Sequence, residues 1–212
     1  MKLSDFDYDY PKELVAQRPL PERDASRLML LDRATGAWRH AQIADLPAEL
    51  RPGDLLVVND SKVAPARLFG KRCTGEELEV LVIEPAAAPE SRIPGPESRV
   101  PGPGTWRCLL KKAKRIREGE KFFFGMQATA TAHGREGIFL LLEFKPGALE
   151  LAMKHHGAPP LPPYIEREGR DAYTAEDRER YQTVYARTSG SAAAPTAGLH
   201  LSENLLAAIA ER

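Results

Sequence analysis

The stretch RLFGKRCTGEELEVLVIE, residues 67–84, decides the fold, because it holds two short strand-like runs separated by turn residues and contains no helical pattern. Further short strands are predicted at 105–110, 121–124, 128–132 and 138–144. Short strands that follow one another with turn signals and without intervening helices are typical of a small antiparallel barrel or sandwich. The sequence therefore predicts an all-β domain from about Arg67 to about Phe144.

Residues 85–104 interrupt this series of strands. They contain six prolines and three glycines, and SRIPGPE at 91–97 is nearly repeated as SRVPGPG at 98–104. Because proline donates no ladder hydrogen bond, such a segment cannot continue a sheet. We expect a solvent-exposed, disordered loop between two barrel strands.

The parts of the chain that flank the barrel mix strands and helices. A hairpin is predicted for 26–40, and Leu55–Val58 is a continuous apolar run of strand length that we expect to be buried on both faces. Helical patterns return after Pro146: at 149–157, at Thr174–Tyr185 behind a capping-box start, and after Ser202. The sequence therefore predicts a mixed α/β fold with a separate β-rich second domain.

The composition is that of an ordinary soluble globular protein. The chain has 212 residues, 42% of them hydrophobic, and its 30 Lys and Arg balance its 30 Asp and Glu, so no overall field attracts polyanions. Cys73 and Cys108 belong to no Cys/His cluster, which favours a reducing cytoplasm and predicts no metal site. No apolar run reaches the length of a membrane helix. Phosphate-binding GxxxxGK[ST] and dinucleotide-binding GxGxxG motifs are missing, which argues against those two classes of site.

A local basic run covers residues 107–121, with seven positive and two negative side chains. Such a run can pair with phosphates and release about one counterion per contact. An equally plain interpretation is a solvated strand-and-turn face. The candidate nucleic-acid contacts are Lys111, Lys112, Lys114, Arg115 and Arg117.

Three stretches, considered together, indicate a binding site. NDSKVAPARL at 59–68 places short polar groups and cations after the apolar run, and PPYI at 162–165 with DRERYQTVYA at 177–186 supplies aromatic and amide groups. SGSAAAPTAGLH at 189–200 is a loop of small residues whose backbone N–H groups can approach a ligand closely. Adenine, a sulfonium or a flipped base are all compatible with such a surface.

At these residues the chain resembles the S-adenosylmethionine:tRNA ribosyltransferase-isomerase family of queuosine biosynthesis. The shared blocks are FDYDYP at 6–11, VAQ at 15–17, SRL at 26–28, Asn59-Asp60, PPYI at 162–165, RYQTVYA at 180–186 and AAPTAGLH at 193–200. The family's Thr-Arg after Asn-Asp is Ser61-Lys62 here, which retains the hydroxyl and the charge but not the bidentate guanidinium. Family members continue well beyond the position of Arg212, which implies that this chain lacks their C-terminal part.

The resemblance implies a layered α/β domain, residues 1–66 and 146–212, with a small antiparallel β-barrel inserted at 67–145. It implies transfer and isomerisation of the ribosyl group of S-adenosylmethionine onto 7-aminomethyl-7-deazaguanine at the wobble position of tRNA, giving epoxyqueuosine, adenine and methionine. S-adenosylmethionine is then a co-substrate, no prosthetic group or metal is required, and a monomer in the cytoplasm is expected. Because the sulfonium acidifies a ribose carbon, the site needs a positioned base and a proton donor for adenine.

The same resemblance assigns roles to residues. Asp60 or His200 transfers protons, Arg67 and the 195–199 backbone hold polar ligand groups, and Tyr164, Tyr181 or Tyr185 stacks on a base. The residues expected to bind S-adenosylmethionine are Asn59, Tyr164, Gln182, Thr183, Tyr185, Pro195, Thr196, Ala197, Gly198 and Leu199.

Other interpretations remain open for these residues and for the whole chain. Asp60 can serve an Asx turn, His200 can cap a helix, and the tyrosines can be core residues. The chain can also be a catalytically incomplete tRNA-binding fragment of the same family, or a different ligand-binding α/β protein.

Overall fold

The structure, a computed structural model, describes residues 2–86, 104–111, 116–126 and 128–212. Its backbone contacts define two compact units. Unit 1 comprises Met1–Val58, Leu161–Arg167 and Thr196–Arg212, and unit 2 comprises Asn59–Pro160 and Glu168–Pro195. The domain limits inferred from the sequence, 1–66 with 146–212 and 67–145, stay a prediction.

The regular elements are bounded as follows. The strands are β1 (Arg27–Leu31), β2 (Trp38–Gln42), β3 (Ser61–Val63), β4 (Arg67–Arg72), β5 (Glu77–Pro85), β6 (Thr105–Lys111), β7 (Lys121–Phe124), β8 (Ala128–Glu136), β9 (Phe139–Phe144), β10 (Gly157–Ala158) and β11 (Thr188–Ser191). The α-helices are α1 (Leu46–Glu49), α2 (Ala148–His156), α3 (Ala175–Arg180) and α4 (Glu203–Ala210). Short 3-10 turns lie at Leu3–Phe6, Lys12–Leu14, Arg23–Ala25, Ile43–Asp45, Arg170–Ala172 and Thr196–His200.

Unit 2 contains a closed, six-stranded antiparallel barrel. Its strands follow the order β4-β5-β6-β9-β8-β7, and β7 pairs back with β4 through Lys71↔Phe123 and Arg72↔Phe122. Closure leaves no exposed edge within the barrel itself, which removes the usual hazard of edge-to-edge pairing. The predicted small antiparallel barrel and the mixed α/β class are thereby confirmed.

The barrel core follows from the two-residue period of its strands. In β5 the alternation ELEVLVIEP buries Leu78, Val80 and Val82 while Glu77 faces solvent. Phe122 and Phe124 of β7 are fully buried in the same core. Helix α2 adds a set of small and apolar side chains to it, namely Ala148, Leu149 and Ala152.

Gly70 permits the barrel to close. A Cβ at this position would lie 2.6 Å from the Phe123 carbonyl oxygen and 2.7 Å from a ring carbon of Phe124, both far too close. The absence of a side chain therefore lets β4 approach β7 closely enough to pair with it.

Unit 1 contains the predicted hairpin, β1 and β2, with the register Arg27↔Gln42 to Leu31↔Trp38. Its turn is held by Asp32, whose Oδ1 accepts hydrogen bonds from the backbone N–H groups of Ala34 and Thr35. These hydrogen bonds lower the pKa of the Asp32 carboxyl, and the bond from Thr35 has the largest effect. The hairpin prediction is confirmed.

The prediction of a buried strand at Leu55–Val58 is wrong. The structure assigns no strand to these residues, and Leu55 and Val57 are 86% and 81% exposed. An apolar run becomes a buried strand only where neighbouring strands supply backbone partners, and within the described residues no strand pairs with this one. The predicted loop at 85–104 has 17 of its residues, 87–103, outside the described residues, and β5 continues through Pro85.

The helix predicted from Thr174 starts as expected and ends early. Thr174 and Asp177 form a capping box, in which the Thr174 side chain accepts from the Asp177 N–H. Helix α3 ends at Arg180 because Tyr181 leaves helical geometry, with φ −83° and ψ 36°. The helices in the described residues are all too short to cross a membrane, α2 being only nine residues long.

Candidate functional site

The Asn59-Asp60 motif lies at the start of a two-stranded parallel pair in unit 2. Strand β3 pairs with β11 through Thr188↔Ser61 and Ser191↔Val63. The Asp60 carbonyl oxygen accepts from the N–H groups of Arg187 (2.7 Å) and Thr188 (3.3 Å). The backbone of Asp60 therefore joins the two strands, while its side chain is exposed.

Asn59, rather than Asp60, forms the side-chain turn at this motif. Its Oδ1 accepts from the Ser61 backbone N–H at 2.9 Å and from the Ser61 hydroxyl at 2.5 Å. This is the Asx geometry that asparagine favours before a strand. It fixes the Asn59 side chain locally and leaves the Asp60 carboxylate facing solvent.

Gln182 fixes the other side of β3. Its Oε1 accepts from the Val63 N–H at 3.0 Å, and its Nε2 donates to the Val63 carbonyl at 3.4 Å. The neighbouring Thr183 is 4% exposed, and burial raises the pKa of the half-buried Tyr185 hydroxyl, an effect that the Thr183 side chain partly offsets. Gln182 thus supports β3 from within unit 2, with both its amide oxygen and its amide nitrogen bonded to the backbone of Val63.

The small-residue loop after β11 is internally bonded. Ser191 Oγ donates to the Ala193 carbonyl at 2.6 Å and accepts from the Ala193 N–H at 3.2 Å. Gly190 has φ +140°, and the register of β3 and β11 shifts at this residue. Pro195, half-buried, follows as the last residue of unit 2.

Arg67 lies on the barrel, at the first position of β4. Its guanidinium forms an ion pair with Glu79 of β5, and Lys111 Nζ of β6 lies 3.4 Å from the other oxygen of Glu79. At this position Arg67 is paired within the barrel with a carboxylate that Lys111 also contacts.

In unit 1 the residues from 199 to 202 are held by the segment around Arg23. Arg23 Nη1 donates to the Leu199 carbonyl at 3.0 Å, and His200 Nδ1 lies 3.3 Å from the Arg23 carbonyl. Ser202 Oγ donates to Asp24 at 2.6 Å and accepts from the Leu205 N–H, which caps α4. The result is a fixed, half-buried imidazole at the end of the 196–200 turn.

The contact with a carbonyl also selects the tautomer of His200. A carbonyl oxygen can only accept, so a hydrogen bond at Nδ1 requires the proton on that nitrogen. In a neutral imidazole held in this way, Nε2 is the nitrogen with the lone pair. The backbone contact thus sets the orientation of the His200 ring.

Gln17 organises the aromatic motif at 162–165. Its Nε2 donates to the Tyr164 carbonyl at 3.0 Å, and its Oε1 accepts from the Glu166 N–H at 2.7 Å. Arg167 Nη2 in turn donates to the Gln17 carbonyl. The backbone at Tyr164 is thereby held while its side chain is 55% exposed, which suits stacking on a ligand base.

Gln17 lies within a motif of the sequence but was given no role there, and Arg23 and Asp24 lie in none of the motifs. Their partners lie roughly 150 to 180 positions away along the chain, and no local pattern reports such distances. The structure brings Asn59 and Asp60 together with β11 and Gln182 in unit 2, and it brings Leu199 and His200 together with Arg23 in unit 1.

The basic run is partly neutralised by barrel carboxylates. Arg107 contacts Glu84 and Glu136, which raises the pKa of the guanidinium and lowers that of the Glu136 carboxyl. Lys111 faces Glu79, and Arg117 is exposed. Lys112, Lys114 and Arg115 lie outside the described residues. In the parts that are described, no group of three or more His, Cys, Asp or Glu side chains is arranged to hold a metal ion.

Comparison with known proteins identifies relatives over the whole chain. The sequence model described as "Queuosine biosynthesis protein" matches residues 3–212. A protein of Anaeromyxobacter sp. (strain Fw109-5) named S-adenosylmethionine:tRNA ribosyltransferase-isomerase is 49% identical over 100% of this chain and 57% of its own length. One of the same name from Syntrophus aciditrophicus (strain SB) is 45% identical over 100% of this chain and 60% of its own. The chain thus spans well under two thirds of these relatives.

A crystal structure of S-adenosylmethionine tRNA ribosyltransferase from Thermotoga maritima was also found, at 28% identity and a TM-score of 0.35. It covers 98% of this chain and 54% of that one.

Proposed function

Because the chain belongs to the queuosine biosynthesis protein family, we propose that it serves in the transfer and isomerisation of the ribosyl group of S-adenosylmethionine onto 7-aminomethyl-7-deazaguanine at the wobble position of tRNA. The observation that carries the proposal is 49% identity, over all of this chain, to a relative named for ribosyl transfer from S-adenosylmethionine to tRNA. The products are epoxyqueuosine in tRNA, adenine and methionine. S-adenosylmethionine is the co-substrate, and the reaction needs no prosthetic group.

His200 is proposed as the base. The sulfonium withdraws electrons from the neighbouring ribose carbon, so a neutral imidazole can remove a proton there. The contact between Nδ1 and the Arg23 carbonyl supports this role, because it leaves the Nε2 lone pair available. Asp60, with its exposed carboxylate, is the alternative proton-transfer group.

The remaining motif residues are proposed to bind S-adenosylmethionine. Tyr164 supplies an exposed ring on a fixed backbone, and the 195–199 backbone supplies N–H groups at small residues. Asn59, Gln182, Thr183 and Tyr185 shape the β3 region, with Gln182 acting through Val63. Arg67 is proposed to orient polar ligand groups while Glu79 holds its guanidinium.

Exposed cations of the basic run, Lys111 and Arg117 among the described residues, are proposed as tRNA contacts. A monomer acting in the cytoplasm is part of the same proposal.

A second candidate function is a tRNA-binding fragment without complete catalysis. The observation that favours it is length, since the chain spans 57% of one relative and 60% of another. Catalytic groups that those proteins hold in the remainder would then be missing.

The test is release of adenine, followed by mass spectrometry, from S-adenosylmethionine mixed with this chain and with tRNA that carries the deazaguanine. We expect release with the unaltered chain, loss of release with His200→Ala, and no loss with His40→Ala, which removes an exposed histidine of the same unit. Binding of tRNA without release of adenine, by a protein shown to be folded, would establish the second candidate instead. Neither release nor binding would contradict both.

A further inference from the structure

Strands β4 and β7 present aromatic and cationic side chains on the outer surface of the barrel. Leu68, Phe122 and Phe124 are buried in the core, so the alternating positions Phe69 and Lys71 of β4, and Lys121 and Phe123 of β7, face outward. Lys71 and Phe123 are direct register partners. We call these four outward residues the β4–β7 face.

Three side chains of this face are open to solvent. Phe123 is 38% exposed, the Lys71 side chain is 64% exposed, and Lys121 is exposed as well. Phe69 lies against Tyr173, with ring centroids 5.8 Å apart and planes inclined at 57°. The face therefore combines one supported ring, one open ring and two exposed lysines.

The surroundings of the face extend its polar and cationic character. Strand β8 places Thr129 opposite Phe123 and Thr131 opposite Lys121. On the other side Glu79 lies opposite Phe69, but it is engaged by Arg67 and Lys111.

Among the other acidic neighbours, Glu76 and Glu120 pair with Arg72, and Glu77, itself exposed, lies 4.0 Å from Lys71. Ion pairs of this kind between exposed groups contribute little and exchange readily. They leave Lys71 able to contact an anion.

We propose that the β4–β7 face binds a single-stranded segment of RNA, with a base stacked on Phe123 and phosphates contacted by Lys71 and Lys121. Every base has a π face that an open aromatic ring can accept, and flanking lysines follow the backbone charge. A purely apolar protein partner fits less well, because a lysine accompanies each aromatic ring on the same strand. The inference rests on the proposed function in one respect, that the substrate is an RNA.

The experiment measures the affinity of the 212-residue chain for a fluorescently labelled, unmodified tRNA transcript and for a short single-stranded RNA, by anisotropy at increasing salt. Phe123→Ala and Phe123→Leu are expected to weaken binding about tenfold, while Phe123→Tyr retains it, because stacking requires a ring. For Lys71→Ala and Lys121→Ala, the slope of the logarithm of the binding constant against the logarithm of the salt concentration is expected to become shallower. The expected change is about 0.7 for each lysine removed.

Matched controls lie elsewhere in the same unit. Ile138→Ala removes an apolar side chain that is 72% exposed between β8 and β9, and Lys154→Ala removes an exposed lysine of α2. Neither should change affinity or salt dependence. Thermal unfolding followed by circular dichroism confirms that each variant is folded.

Each outcome separates this inference from the proposed function. RNA binding that is unaffected by the Phe123 and lysine variants overturns the inference and leaves the proposed function standing. Equal loss of RNA affinity with Phe123→Tyr and Phe123→Ala overturns stacking on Phe123 and with it the inference. If the unaltered chain binds neither RNA but still releases adenine, the β4–β7 face is not an RNA-binding surface. The proposed function then stands without it.

Discussion

Strand β5 and the segment Leu55–Val58 have similar apolar character and opposite burial. Leu78, Val80 and Val82 of β5 are between 0% and 6% exposed, whereas Leu55 and Val57 are 86% and 81% exposed. Strand β5 is hydrogen-bonded on both sides, by β4 and β6, and within the described residues no strand flanks 55–58. The difference shows that backbone partners, and not apolar composition alone, decide whether a run becomes core.

The largest effect is expected from removing a core ring of the barrel. Phe122→Ala should lower the free energy of unfolding by about 3–5 kcal/mol, because it leaves a cavity in a closed core. Leu55→Ala, which removes an exposed side chain of the contrasting segment, should stay within about 0.5 kcal/mol. Chemical denaturation of both variants measures the contrast, and equal losses would contradict it.

Closure of the barrel gives the next test. Gly70→Ala places a Cβ 2.6 Å from the Phe123 carbonyl and should cost about 1–3 kcal/mol, since β4 and β7 must separate. The control is Gly137→Asn, at a turn with φ +59° and open space, which asparagine tolerates. Hydrogen exchange at the amides of β7 should accelerate in the first variant only, and unchanged exchange there would refute the role assigned to Gly70.

A pH-dependent effect is expected at Arg72 and Glu120, which join β4 to the turn before β7 at 2.6 Å. The Arg72 hydrogen bond, the largest cause, lowers the pKa of the Glu120 carboxyl. A lowered folded-state pKa stabilises the protein above the unfolded value, and this stabilisation is lost as the pH falls through the folded value.

Glu120→Gln should therefore lower the free energy of unfolding by about 1 kcal/mol at neutral pH, allowing for solvent screening. The difference in this free energy between the variant and the unaltered protein should shrink as the pH falls below about 4. Urea midpoints across pH measure this. Glu77→Gln, at an exposed ion pair 4.0 Å long, is the control. If the difference in stability grew as the pH falls, the pKa of Glu120 would not be lowered by Arg72, and the role given to this ion pair would be refuted.

The smallest effect is expected at the cap of α4 in unit 1. Ser202→Ala removes the acceptor of the Leu205 N–H and the donor to Asp24, and should cost up to about 1 kcal/mol. Ser202→Thr, which retains both functions, serves as the control. Helix content by circular dichroism and the denaturation midpoint report the change, and a midpoint that does not move would show that the cap contributes nothing.

Local pattern predicted much of the fold. The alternation in β5, the hairpin turn at Asp32–Ala37 and the caps at Thr174 and Ser202 are all short-range features that a sequence displays directly. Closure of β4 on β7 was not predictable, because it depends on pairing between residues about 50 positions apart. The burial expected of 55–58 failed for the related reason that a single run carries no information about its neighbours.

In the candidate site, too, short-range features were predictable and long-range contacts were not. Asn59, Asp60 and His200 were located by motif resemblance, and their catalytic roles stay predictions. The long-range contacts around the motifs are made by Gln182 to Val63, by Arg23 to Leu199 and by Gln17 to Tyr164, across 119 to 176 positions of the chain. Motifs in the sequence point to candidate ligand-binding groups, whereas the residues that hold the surrounding backbone are recognised only once the chain is folded.

The two hydrogen bonds between Gln182 and Val63 limit how β3 can pair with another polypeptide. A primary amide offers a donor and an acceptor at the spacing of a peptide group, so on Val63 it occupies the positions that a third strand would take. Strand β3 is thus paired with β11 on one side and, at Val63, with the side-chain amide of Gln182 on the other. At Val63 the outer edge of β3 is therefore occupied, so a second polypeptide cannot pair with β3 through this residue.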